Sequence, residues 1–306
     1  MPVPRTPSGP NAVLLRLDGS LAARLLGPGG PGAAAVGRAL DRSGADAVLI
    51  GADRLDSPSS PGLDASIVAT TLAGHTGPIG LVVAAAPHRD HPYNLARRIT
   101  SLDHVTGGRA GWLAGDRDAG VPDPAGVWTS SPLGPATTAD AIAVSRELWR
   151  SWPDDTIVAD HGRGVFAEAH RIVHVDHTGP FDVTGPMNLP EGPQGEPVVL
   201  WWWTGDADPA VTAGLADALV LADPALAAGV RGALGPDVRL YAEASAPDLD
   251  GVVVRLDDLP VPGLADEIRG TTGRADAATL RERLGLPART PTVPGARRPF
   301  APAPTS

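Results

Sequence analysis

Four histidines, His161, His170, His174 and His177, lie close together, and imidazoles at that density suggest a metal centre. Bringing His170, His174 and His177 onto one side would take a helix, but the segment reads as a strand, so no metal is expected. Asp154–Asp155 and Asp257–Asp258 are adjacent acids that point apart, which makes them poor acid–base partners and better read as solvated loop charges. Asp103 and His104 fall where a turn is expected, and any bond between them is structural. Gly107–Gly108 reads as a turn into a strand rather than a phosphate cradle, because no strand–GxGxxG–helix unit surrounds it. Trp201, Trp202 and Trp203 stand together in a chain with only 4% aromatics, which demands a local explanation. On a strand they alternate, so at least one indole faces inward, where it fills space or stacks on a planar ligand. None of these groups earns a catalytic assignment.

The residues that are missing narrow the chemistry further. With no cysteine, disulfides, thiolate nucleophiles and iron–sulfur clusters are excluded. All 25 basic residues are arginine, so a lysine Schiff base and a Walker-type phosphate loop are excluded too. The net charge of −10 opposes general nucleic-acid binding, which needs a basic face. The Pro-rich start, with its short apolar stretch, does not read as a signal peptide. No window approaches the ~20 apolar residues of a membrane span. The expectation is a cytoplasmic protein with neither nucleic-acid nor membrane partners.

Short apolar runs must supply the framework. Strands are expected at Ala12–Leu17, Ala47–Ile50, Ile79–Ala84, Arg109–Ala114, Pro197–Trp203, Ala218–Leu221, Val238–Ala242 and Gly251–Leu256. Most are continuously apolar, as buried parallel strands are. Helical patterns join them at Ala33–Ser43, Asp64–Gly74, His91–Asp103, with Asp90 as N-cap, and Ala139–Trp152. Alternating units of this kind specify either an α/β barrel or a doubly wound sheet. Between the fourth and fifth strands a long excursion carries an expected hairpin, Arg171–Val175 with Pro180–Thr184. The connection before the last strand, EASAPDLD, is shorter than the dozen residues of an ordinary parallel crossover, so a helix is missing or a strand misplaced. Residues 1–10 and 288–306 are aperiodic and Pro-rich and read as flexible tails around one domain at 11–287.

The stretch HPYNLARRITSLDHVTGGRAGW, His91–Trp112, resembles the nitrilotriacetate-monooxygenase and desulfurisation branch of the bacterial-luciferase-like flavin monooxygenases. RSGADAVLIGAD, the long segment from SRELWRSW to PVVL, and ATLRERLGLP match the same branch in the same order. The resemblance implies a (β/α)8 TIM-type barrel, here shortened by loss of the insertion between its last two strands. It also implies reduced FMN supplied by a flavin reductase, oxygenation of a small organic substrate, and a site at the C-terminal ends of the strands.

The departures fall where flavin should lie. Ala84, Ala85, Ala86 and Pro87 replace small hydroxyl residues, and Leu113, Ala114, Gly115, Asp116 and Arg117 replace an Asn-Val-Val-Thr-Ser run. Trp128–Asp140 lacks the family's phosphate-holding His and Tyr. Trp203, Thr204 and Gly205, followed by Asp206 and Asp208, stand in place of a Gly-Ser-Ser phosphate site. Candidate cofactor contacts are His91, at a helix start after the third strand, Trp112, Thr204 and Gly205. His91 is alternatively a structural cap. Two readings follow: a monooxygenase with an altered FMN site, or a non-catalytic barrel that binds no flavin and serves an active homologue as subunit, binding module or regulator. A deazaflavin cofactor is a third option. Barrels of this family usually pair, so a homodimer or a heterodimer with a homologous barrel is expected.

Overall fold

The structure, a computed structural model, describes residues 12–57, 62–87, 89–120, 131–235, 238–270 and 277–289. In chain order it holds β1 (Ala12–Leu17), α1 (Gly19–Leu26), α2 (Ala33–Arg42), β2 (Ala47–Ile50), α3 (Asp53–Asp56), α4 (Ala65–Ala73), β3 (Gly80–Ala85), α5 (Pro92–Thr106), β4 (Ala110–Ala114) and α6 (Pro135–Trp149). There follow β5 (Ile157–Asp160), β6 (Val165–Ala167), β7 (Asp176–His177), β8 (Val183–Thr184), β9 (Val198–Trp203), α7 (Pro209–Leu215), β10 (Ala218–Leu221) and α8 (Ala227–Leu234). The last elements are β11 (Arg239–Ala242), β12 (Gly251–Arg255), α9 (Leu264–Arg269) and α10 (Leu280–Arg283).

Eight strands, β1-β2-β3-β4-β9-β10-β11-β12, pair in parallel and close into a barrel, which settles the choice between barrel and open sheet. Each barrel strand ends within one residue of its expected bounds. Their side chains split into two layers. Leu14, Leu49, Val82, Leu113, Leu200, Trp202, Val220 and Val253 belong to the cluster inside the barrel. Val13, Leu15, Val48, Leu81, Trp112, Trp201 and Trp203 pack outward against the helices. The period-two alternation of a strand enforces that division.

β11 and β12 are neighbours, with Tyr241 opposite Gly251, although only the eight residues 243–250 join them and no helix forms there. A bare extended segment of that length reaches about 26 Å, enough to return along a strand of about 13 Å. The dozen-residue expectation applies to crossovers that contain a helix.

Three expectations need correction. Asp90 does not cap α5. His91 does, its Nδ1 accepting the Tyr93 N–H at 3.3 Å, while Asp90 pairs with Arg98. Helix α6 begins at Pro135, earlier than expected, because proline fits the first helical turn, where its missing N–H is not needed. In the excursion, Arg171–Val175 is not a strand: a 3-10 turn takes Ala169–Arg171, and the pairing shifts to β7 and β8. A second, unanticipated hairpin joins β5 and β6.

The C-terminal segment closes the floor of the barrel. Thr279 and Glu282 form a capping box on α10, and Leu280, Leu284 and Leu286 join the interior cluster. Leu280 occupies the space that side chains at Gly80 and Gly111 would fill, and a Cβ at Gly80 would collide with its methyl group. Arg281 and Arg289 reach Asp217 at 2.9 and 2.8 Å, and Arg146 joins them at 3.1 Å. No helix among the described residues is long and apolar enough to cross a membrane. The expected N-terminal tail and nearly all of the expected C-terminal one lie outside the described residues.

Candidate functional site

In a parallel barrel the loops that can carry chemistry gather at the C-terminal ends of the strands. Here that mouth is built around Arg16. It follows Ala12 and Leu14 on the inward face of β1 and is fully buried. Burial opposes its charge, but bonds to Asp56 and Asp18 outweigh that and hold the guanidinium protonated. It donates to Asp18 at 2.6 Å, to Asp56 at 2.6 Å and to Glu243 at 2.7 Å. Arg255 lies 3.3–3.8 Å from the same three carboxylates. Beneath the guanidinium lies Trp202, with Arg16 Cζ 5.6 Å from the ring centroid, close enough for a cation–π contact. Trp202 is 4% exposed, and its Nε1 is buried without a hydrogen-bond partner among the described residues.

Of the three consecutive tryptophans, Trp202 is thus the one that faces inward. Trp201 and Trp203 pack under the helices, and Trp201 Nε1 donates to Asp116 at 3.2 Å. Burial pushes the Asp116 carboxyl up, and bonds from Thr138 and Trp201 partly offset this.

The sequence candidates are scattered around this mouth rather than joined in it. Thr204 and Gly205 are exposed just past β9, and the Thr204 hydroxyl donates to Asp206 at 2.9 Å. Gly205 has φ +101°, a conformation that favours glycine. Asp208 is held as the N-cap of α7. His91 is half-buried at the start of α5, edge-on to Phe181. Trp112 is fully buried in the outer layer, its Nε1 donating to Ala85 O at 2.9 Å.

At the end of β3, Ala84 and Ala86 are buried in the interior cluster, and Leu113 of β4 joins them. Of Trp128–Asp140, residues 128–130 lie outside the described residues. Thr137 donates to Pro132 O at 2.6 Å, so its hydroxyl serves the turn before α6.

The remaining chemistry-bearing residues lie elsewhere. His177 pairs with Asp140 at 2.8 Å and His174 with Asp176 at 3.0 Å, and no group of three or more metal-ligating side chains converges among the described residues. Asp103 and His104 sit in the last turns of α5 rather than in a turn before β4. Asp103 accepts from Gln194 and Ala110, and His104 meets Pro190 O. Asp154 and Asp155 are exposed, and Asp155 is held by Arg171 at 2.6 Å.

Sequence reasoning missed Arg16, Asp18, Asp56 and Glu243. One signal was available: a lone arginine in the otherwise apolar run AVLLRL, in step with the inward residues.

The family profile described as luciferase-like monooxygenase matches residues 23–255, nearly the whole barrel. The chain belongs to the luciferase-like monooxygenase family. It is 37% identical over 262 residues to one of the subunits of pristinamycin IIA synthase from Streptomyces pristinaespiralis, covering 81% of this chain and 86% of that protein. With dibenzothiophene-sulfone monooxygenase of Rhodococcus erythropolis it shares 32% identity over 146 residues, but the match spans only 31% of that protein. The solved EDTA monooxygenase of Chelativorans sp. BNC1 has the same fold, with a TM-score of 0.65 at 18% identity over 90% of this chain and 98% of that one.

Proposed function

We propose that this chain is a non-catalytic luciferase-like barrel, a subunit that pairs with an active homologous barrel in a flavin-dependent monooxygenase. The observation that carries this reading is the packed mouth. Arg16, Trp202 and three carboxylates occupy the inward end of the barrel where the family is expected to hold its flavin. Of the positions expected to touch the ring, Ala84, Ala86 and Leu113 offer no side-chain donor, and the Asp116 carboxylate is engaged by Trp201. At the expected phosphate position the Thr204 hydroxyl is committed to Asp206, and that carboxylate repels a phosphate dianion. The described residues therefore do not fit FMN, and no chemical step is assigned to them. In this reading, reduced FMN from a flavin reductase is used by the partner barrel, which oxygenates a small organic substrate. The similarity to a protein named as one subunit of a synthase, over most of both chains, supports the same reading.

A second reading is a monooxygenase with an altered FMN site, favoured by the family match along nearly the whole barrel. Anaerobic titration with FMN and dithionite-reduced FMN, followed by calorimetry and flavin fluorescence, separates the two. The subunit reading expects no binding at several hundred micromolar, together with slower turnover by the active homologue when this chain is omitted. Low-micromolar binding of reduced FMN overturns it in favour of the second reading.

A further inference from the structure

Beside the plugged mouth, a cleft of about 160 Å³ opens between α3, the start of α4, the end of β3 and α5. Its inner wall is apolar, formed by Leu55, Leu63, Val83–Ala85 at the end of β3 and Ala86 just beyond it, and Leu63 is 42% exposed there. Its rim carries three guanidiniums, Arg54, Arg89 and Arg98.

These arginines are only partly used within the chain. Arg54 and Arg89 share one carboxylate oxygen, Asp118 Oδ2, at 3.0 and 3.3 Å. The other oxygen of Asp118 accepts the Gly120 N–H at 2.9 Å. Arg98 grips Asp90 through its terminal nitrogens, and its Nε is buried without a hydrogen-bond partner among the described residues. The third acid, Asp64, is turned to the backbone of α4, accepting from Ser66 N at 2.9 Å and Ile67 N at 3.3 Å. A guanidinium has five donors in a planar fork that matches a carboxylate, so much of the donor capacity at this rim is unused. An apolar wall with a few convergent donors is the usual make-up of a small-ligand site.

We propose that this cleft binds a small organic carboxylate, with its two oxygens against Arg89 and Arg98 and a short apolar tail on Leu55, Leu63 and Ala84. The local charges of the three arginines and three aspartates already balance, so the ligand is selected by donor geometry and by its tail rather than by excess charge. The site shares no residue with the Arg16–Trp202 plug, its wall includes Ala84 and Ala86 where the family's flavin ring is expected, and the proposal does not rest on the subunit reading.

The test is calorimetric titration of the full chain with benzoate, benzyl alcohol and inorganic phosphate at constant ionic strength. Benzyl alcohol keeps the tail without the anion, and phosphate keeps an anion without the tail. Benzoate is expected to bind saturably and the other two at least tenfold more weakly. Arg89→Gln and Arg98→Gln are each expected to weaken benzoate about tenfold, the effect of losing a charge-assisted hydrogen bond. Both arginines are partly exposed, and circular dichroism checks that the variants remain folded. Arg163→Gln, at the exposed tip of the β5–β6 hairpin, is expected to leave affinity unchanged. Absence of benzoate binding, affinity unchanged from the parent in the Arg89→Gln and Arg98→Gln variants, or phosphate binding as tight as benzoate would overturn the proposal.

Discussion

Replacing Arg16 by methionine tests the packed mouth directly. The variant keeps an unbranched apolar stem of similar reach and removes only the guanidinium. Asp18, Asp56 and Glu243 then lose a cation at 2.6–2.7 Å. Removing one partner of a buried ion pair costs about 3–5 kcal/mol. Two features place this case near the lower bound. The three carboxylates keep 16%, 22% and 33% of their side-chain exposure, so they regain some water. Arg255, already 3.3–3.8 Å away, takes over part of the pairing. The expected loss is about 3 kcal/mol, or a fall in Tm of roughly 6–12 °C at about 2–4 °C per kcal/mol for a large domain. Urea unfolding followed by circular dichroism, with thermal melts alongside, measures it. A Tm within about 2 °C of the parent would refute the account of a strongly paired Arg16.

Three further outcomes are expected. Leu280→Ala empties the barrel floor beneath Gly80 and Gly111, where the sheet cannot collapse, and should cost about 3–5 kcal/mol in urea unfolding; a loss under about 1 kcal/mol would show that the plug does not matter. Burial alone would raise the Asp217 carboxyl, but Arg146, Arg281 and Arg289 together hold it well below the ordinary range. A lowered folded pKa gives stability that is present above the ordinary carboxylate value and lost as pH falls below it, so the parent should weaken between about pH 5 and pH 3 more steeply than Asp217→Asn, and parallel slopes would contradict this. Trp202→Phe removes a buried unpartnered N–H along with some ring volume, so it should cost under about 1.5 kcal/mol in the same assay, whereas a loss above about 3 kcal/mol would mean that the N–H has a partner.

The barrel was legible because its strands are buried on both faces and leave unbroken apolar runs such as AVLLRL and VVLWWW. The inward turn of one tryptophan in Trp201–Trp203 followed from alternation alone. The excursion was less legible, because its strands are two to four residues long and stand outside the barrel sheet, where pattern is weak. The sequence offered both Asp90 and His91 as caps, and the choice depends on Arg98 two turns along α5 engaging Asp90. The mouth was largely hidden: Asp18, Asp56 and Glu243 come from three separate connections and meet only because the barrel closes. The arginines of the neighbouring cleft converge because they follow β2 and β3, which pair side by side.

The floor plug bears on the order in which the chain can fold during synthesis. β1 is synthesised well before its partner β12 and the sealing Leu280. Until then the nascent sheet has two open edges and a lidless apolar interior, the kind of surface that invites aggregation or chaperone capture. The long loop closure between β1 and β12 also makes their zippering a slow step. Translation pauses just ahead of β12 should therefore lower soluble yield more than pauses just ahead of β3.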